Sequence, residues 1–154
     1  MLLYRISSQK YALDLSGRGA ALYGGRWNPQ GMPMVYTAGS ISLACLEYLV
    51  HNYHILSTKS VCLTKIRTRS NTTYDPLAEG SLPHDWQEKS YTPQSTQALG
   101  EQFLRENTSY MLKVPSAIVP SEFNYLLNPS HPGHDLTSVE ECLDSFVIDE
   151  RLFG

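Results

Sequence analysis

The sequence predicts a single α+β domain, and three observations carry that prediction. The chain has 154 residues, one domain's worth. Strand-like and helix-like runs are mixed along it. No internal repeat and no linker divides it. A domain of this size buries roughly 70% of its unfolded surface, so its core needs no disulfide or structural metal.

The elements follow in order. Residues 2–6 read as a short opening strand. Residues 14–33 read as loop, because Gly17, Gly19, Gly24, Gly25 and Gly31 crowd there with Pro29 and Pro33. Residues 34–37 are a second short strand. Ser40 can cap a helix that runs to about residue 53. Residues 61–66 are β-like, and residues 67–95, with Pro76, Pro83 and Pro93, read as loop with short turns. Residues 96–107 form an amphipathic helix with Leu99, Phe103 and Leu104 on one face. Residues 110–119 read as a strand interrupted at Pro115, and residues 146–148 as a late strand.

Lys plus Arg is 12 and Asp plus Glu is 15, a net charge of −3. That argues against general nucleic-acid binding, since a chain living on phosphate contacts is normally basic. No run approaches the ~20 apolar residues of a membrane span. The opening residues lack a basic region ahead of an apolar stretch and do not read as a secretion signal. Cys45, Cys62 and Cys142 are far apart and odd in number, with no CxxC, so no disulfide framework is expected. The cytoplasm is the default expectation.

The residue that says most about chemistry is Glu47. It sits inside residues 41–50, ISLACLEYLV, with Leu43 and Val50 at neighbouring helical positions. A segment apolar nearly all round is how a buried helix looks. A carboxylate there must be paired, protonated or lining a cavity. A second reading fits equally: Glu47, His51 and His54 fall at helical spacing and can form a solvent stripe.

Gly24-Gly25-Arg26-Trp27-Asn28-Pro29 is the second feature. An Arg beside two glycines can present a planar fork to a phosphate or carboxylate, and most such arginines are simply solvated loop residues. Arg5 lies in a strand and needs a partner. Tyr36 ends an apolar strand and faces either core or pocket. Ser116 follows the Pro115 break, where a hydroxyl can face a cleft. No GxSxG elbow and no His base accompany it, which favours hydrogen bonding over nucleophilic attack. His51-x-x-His54 and His131-x-x-His134 have metal-compatible spacing without further ligands, so no metal site is expected.

Taken together, these residues resemble a family. Tyr4-Arg5-Ile6, Gly17-Arg18-Gly19-Ala20, Gly24-Gly25-Arg26-Trp27-Asn28, Val35-Tyr36-Thr37-Ala38 and the stretch from Ala44 to Glu47 carry the first half. Val114-Pro115-Ser116-Ala117, Asn124-Tyr125-Leu126-Leu127-Asn128-Pro129-Ser130-His131-Pro132 and Asp149-Glu150-Arg151-Leu152 carry the second. The ordered set resembles the RES domain, named for an Arg, a Glu and a Ser. The match runs nearly end to end and leaves residues 67–95 weakly covered.

The resemblance implies an α+β fold like the ADP-ribosyltransferases of the diphtheria-toxin kind, with residues 1–154 as one RES domain. It implies a toxin of a bacterial toxin–antitoxin pair, with an Xre-type helix-turn-helix antitoxin as partner and a homodimer within the complex as one arrangement. It implies chemistry on NAD⁺ as substrate, by hydrolysis, phosphorolysis or ADP-ribosylation of a protein, with no metal or prosthetic group. It maps Glu47, Arg26, Tyr36 and Ser116 onto the catalytic site, and Arg5, Arg26, Tyr36 and Asn128 onto NAD⁺ binding. The chemistry suits these types. A carboxylate stabilises an oxocarbenium-like ribose, arginines neutralise the pyrophosphate, and an aromatic ring stacks on nicotinamide. A pocket kept only to bind a nucleotide or partner, without turnover, is the non-enzymatic alternative.

Overall fold

A computed structural model describes residues 1–52, 61–69, 74–77, 80–88 and 93–152. Ten elements build the fold: β1 (Leu2–Ser8), α1 (Arg18–Tyr23), β2 (Val35–Ala38), α2 (Ile41–Asn52), β3 (Val61–Arg67), β4 (Tyr74–Pro76), α3 (Pro93–Glu106), β5 (Met111–Pro115), β6 (Phe123–Leu127) and β7 (Ser138–Phe146). The strands form one seven-stranded mixed sheet in the order β4-β5-β6-β2-β1-β3-β7. Among the described residues only β4 and β5 run parallel; the remaining pairs are antiparallel. The expected α+β class holds.

Strand alternation divides the core between two faces. On one face α3 covers Trp27, Leu112, Val114 and Leu126 with Phe103 and Leu104. On the same face Leu43 and Ala44 of α2 pack on Ile6, Ala38, Val61 and Leu63. The other face buries Leu3, Val35, Ile66, Tyr110, Met111 and Leu127. Ser40 caps α2 as its sequence predicts, its hydroxyl accepting from the Leu43 N–H at 3.1 Å. The helix is more one-sided than its sequence implies, because Ile41 and Val50 are exposed. The expected helix end at residue 53, and His54, lie outside the described residues.

Four expectations are corrected. The 14–33 loop contains α1, bounded by Gly17 and Gly24, both at φ near +70°. Gly17 also lies against the Met34 backbone, where a Cβ would stand 2.6 Å from its nitrogen. The 67–95 loop contains β4, whose three residues are all exposed. The strand expected over 110–119 stops at Pro115, and β6 begins at Phe123 after a connecting loop. The late strand expected at 146–148 is β7, which ends at Phe146; Val147 beyond it is 82% exposed. β7 escapes a hydrophobicity reading because it is an edge strand whose acids pair with cations of β3. Lys65 pairs with Glu141 at 2.5 Å, and Arg67 pairs with Glu140.

Candidate active site

The antiparallel register brings distant residues to the face that α2 covers. Tyr36 opposes Leu126, and Ala38 opposes Asn124, which in turn opposes Val114. Ser116 lies two residues beyond Val114, on the same face by alternation. Glu47 projects from α2, one turn beyond Leu43 and Ala44, which pack on that face.

The Glu47 carboxylate is held at one oxygen. Ser116 Oγ donates to Glu47 Oε1 at 2.8 Å, and Asn124 Nδ2 donates to the same atom at 2.5 Å. Glu47 Oε2 faces His51 Nε2 at 3.8 Å, one helical turn on. The Glu47 side chain keeps 23% of its surface exposed, while His51 is largely in solvent. Both sequence readings of Glu47 are thus partly realised: one oxygen is bound inside the fold and the other lies toward the helix surface.

Ser116 is fully buried. Its oxygen accepts from the Ile118 and Val119 N–H groups, both at 3.0 Å, as its proton goes to Glu47. All its hydrogen-bonding capacity is spent and its only acidic or basic partner is a carboxylate, an arrangement that positions rather than attacks. Asn124 was not singled out as a site residue from sequence. Its signal is its place at the head of the 124–132 stretch that carries the family resemblance.

The glycine–arginine turn is built as a rigid loop. Tyr36 donates its hydroxyl proton to Asn28 Oδ1 at 2.7 Å and accepts from the Trp27 N–H at 3.1 Å. Buried Asn28 donates to the carbonyls of Ala20 and Met32, both at 2.9 Å. Two α3 side chains tie the turn from the other side. Thr96 donates to the Arg26 carbonyl at 2.6 Å and Gln97 to the Gly25 carbonyl at 2.9 Å. Gly25 is required, because a Cβ there would stand 2.5 Å from the Tyr36 hydroxyl. The Arg26 guanidinium donates to the Trp86 carbonyl. Tyr36 stands two residues from Ala38, so about 7 Å of strand separates its position from that of Asn124.

Two expected site residues lie elsewhere. Arg5 shares its face with Leu3 and Thr64, away from α2, and donates to the carbonyls of Asp14, at 2.8 Å, and Tyr11. Burial pulls its pKa down, opposed by the Asp14 charge. Asn128 is buried at the exit of β6, where it donates to Asn107 Oδ1 at 2.9 Å and accepts from the Ser130 N–H at 3.0 Å. These contacts anchor loops. His131 and His134 also have structural partners: His131 Nδ1 accepts from Gly133 N–H at 2.9 Å, and His134 Nδ1 lies 3.0 Å from the Tyr110 hydroxyl.

Comparison with known proteins decides the family. The RES domain model matches residues 2–149. The chain belongs to the RES domain family. "Toxin Res" of Photorhabdus laumondii is 41% identical over 155 aligned positions, which span 99% of this chain and 97% of that protein. The "Prs ADP-ribosylating toxin" of a Sphingobium strain is 38% identical over 77% of this chain and 74% of its own. A chain in the crystal structure of the M. tuberculosis MbcT–MbcA toxin–antitoxin complex superposes with a TM-score of 0.75. It covers 99% of this chain and 86% of its own. At 20% identity that likeness speaks for the RES fold alone. No helix among the described residues is long and apolar enough to cross a membrane.

Proposed function

We propose that this RES domain is the toxin of a bacterial toxin–antitoxin pair and cleaves the nicotinamide–ribose bond of NAD⁺. The observation that carries the reading is the Glu47 carboxylate, pinned at Oε1 by Ser116 and Asn124 with Oε2 left without a hydrogen bond among the described residues. Departure of nicotinamide leaves positive charge on the ribose. A carboxylate whose orientation is fixed before the reaction stabilises that charge without reorganising. Its unbound oxygen then meets the ribose, either at the developing charge or at a neighbouring hydroxyl.

Arg26 and Tyr36 supply substrate binding from the rigid turn. The Arg26 guanidinium, which donates to the Trp86 carbonyl, is the planar cation on that turn proposed to meet the pyrophosphate. Tyr36 presents an aromatic face whose ring position is fixed through its hydroxyl. Arg5 and Asn128 act in this account by holding the loops behind the site. NAD⁺ is substrate, and water or phosphate takes the ribosyl carbon. With water the products are ADP-ribose, nicotinamide and one proton.

The runner-up is transfer of ADP-ribose to a protein, favoured by the name of the Sphingobium relative. An antitoxin partner, with an Xre-type helix-turn-helix as the expected class, would restrain the enzyme in the cytoplasm, where its substrate is. Incubating the purified protein with NAD⁺ in water, in phosphate and with lysate separates the acceptors. Free ADP-ribose or its phosphate ester supports the proposal. NAD⁺ that stays intact until lysate supplies an acceptor supports protein modification. Binding without turnover in all three arms leaves the non-enzymatic module.

A further inference from the structure

Across the sheet from Glu47, the β3–β7 pair gathers a second cluster. Cys62 and Thr64 share a face of β3, opposite the face on which Leu63 packs against α2. Thr64 opposes Cys142 on β7, which puts Cys142 and Asp144 on that same face. The register shifts between Val61 and Leu63, and Ser145 adopts a left-handed φ of 59°. This bulge turns Asp144 onto Cys62, so that Cys62 Sγ donates to Asp144 Oδ1 at 3.0 Å. Cys142 Sγ lies 3.8 Å from the same oxygen. The two sulfurs and the carboxylate oxygen all lie within 4.8 Å of one another.

We infer that Cys62, Cys142 and Asp144 form a site for a thiophilic divalent cation of the zinc class. Zinc takes thiolate sulfur at ~2.3 Å and carboxylate oxygen at ~2.0–2.2 Å in tetrahedral order. Ligands at those lengths stand about 3.6–3.8 Å apart. The 3.0 and 3.8 Å separations observed bracket that requirement, so metal entry needs shifts under about 1 Å. Two thiolates and one carboxylate are a soft, anionic set that disfavours magnesium and calcium. Cys62 is buried, Cys142 half-buried and Asp144 exposed, so the ion enters from the Asp144 side and water completes its shell. Binding breaks two S–H bonds, forms two metal–sulfur bonds and releases two protons to solvent; nothing is oxidised. The ion would clamp edge strand β7 to β3.

The experiment uses the reduced full chain, stripped of metal, titrated with Co²⁺ and then Zn²⁺. One equivalent of Co²⁺ is expected to give thiolate-to-cobalt charge-transfer absorption that Zn²⁺ bleaches. Zinc at about a hundredfold excess over Kd is expected to raise Tm by roughly 5–10 °C. Cys142→Ser, placed on the half-buried edge strand where folding is tolerant, should abolish the absorption. Asp144→Asn should weaken binding at least tenfold, and Cys45→Ser should change neither. Absence of the thiolate band in the folded protein overturns the inference. So does unchanged affinity in Cys142→Ser, loss of binding in Cys45→Ser, or a Cys62–Cys142 disulfide forming in a protein that takes up no cobalt when reduced.

Discussion

Ser116 Oγ donates to Glu47 Oε1 at 2.8 Å across 69 residues of sequence. The bond joins α2 to the turn after β5, and that turn is shaped by the same hydroxyl accepting two backbone N–H groups. One side chain therefore sets both the local backbone and the carboxylate. Ser116→Ala is expected to lower NAD⁺ turnover about 10- to 100-fold, since a hydrogen bond to a charged group contributes about 1.5–3 kcal/mol. It should also lower Tm, because two buried N–H groups lose their acceptor. Mass spectrometry of the wild type during turnover should find no adduct on Ser116; a trapped adduct there would reassign the residue as nucleophile.

Asn124 holds the same oxygen from β6, at 2.5 Å. Asn124→Ala should reduce kcat while leaving KM for NAD⁺ nearly unchanged, because the side chain meets Glu47 and not the turn that carries Arg26. Asn124→Asp should be worse, since two carboxylates at that distance cannot both ionise and one must take a proton. Equal activity of Asn124→Asp and wild type at neutral pH would contradict this arrangement.

Arg26 is expected to act in binding. Arg26→Lys keeps the charge and loses the planar fork, so KM for NAD⁺ should rise tenfold or more. Wild-type affinity with lost turnover would move Arg26 to a role at the reacting bond. Stability must be read in parallel, because the guanidinium also holds the Trp86 carbonyl.

Stability should fall in mild acid through His134. Burial lowers its pKa below the ordinary 6.5, against a hydrogen bond with the Leu15 backbone and the Asp135 charge. The fold favours the neutral ring, so the unfolded chain binds more protons below its own pKa. The contribution is complete above about pH 6.5 and is lost as pH falls from there toward the lowered native value. Tm of wild type and His134→Gln, measured from about pH 8 to about pH 5.5, should show a steeper acid-side decline in wild type. Parallel curves would remove His134 from the account.

Much of the fold was legible where burial writes a pattern. β1, β2, β3 and the two long helices announced themselves through apolar periodicity and the Ser40 cap. β7 did not, because Glu140, Glu141 and Asp144 break up its apolar positions and most of its residues are exposed. α1 is six residues between two left-handed glycines, too short to show a helical period. At the site, Glu47 and Ser116 were visible as a carboxylate in an apolar helix and a hydroxyl after a Pro break. Asn124 and Asn28 stand in stretches that carry the resemblance, but their partners Glu47 and Tyr36 were not legible, because folding alone brings them together. The same limit hid the geometry of Arg5. Its residue type matched a binding role, while strand alternation turned it to the far face.

In the proposed reaction the oriented Glu47 carboxylate carries the chemistry. Glu47→Gln keeps the shape and the acceptor for Ser116 and removes the charge. The decisive measurement is single-turnover NAD⁺ consumption by this variant, with Tm and NAD⁺ affinity recorded on the same sample. The expected result is a folded protein that binds NAD⁺ and consumes it about 10²- to 10³-fold more slowly, the size of a typical electrostatic contribution. Consumption near the wild-type rate by a folded Glu47→Gln protein would contradict it.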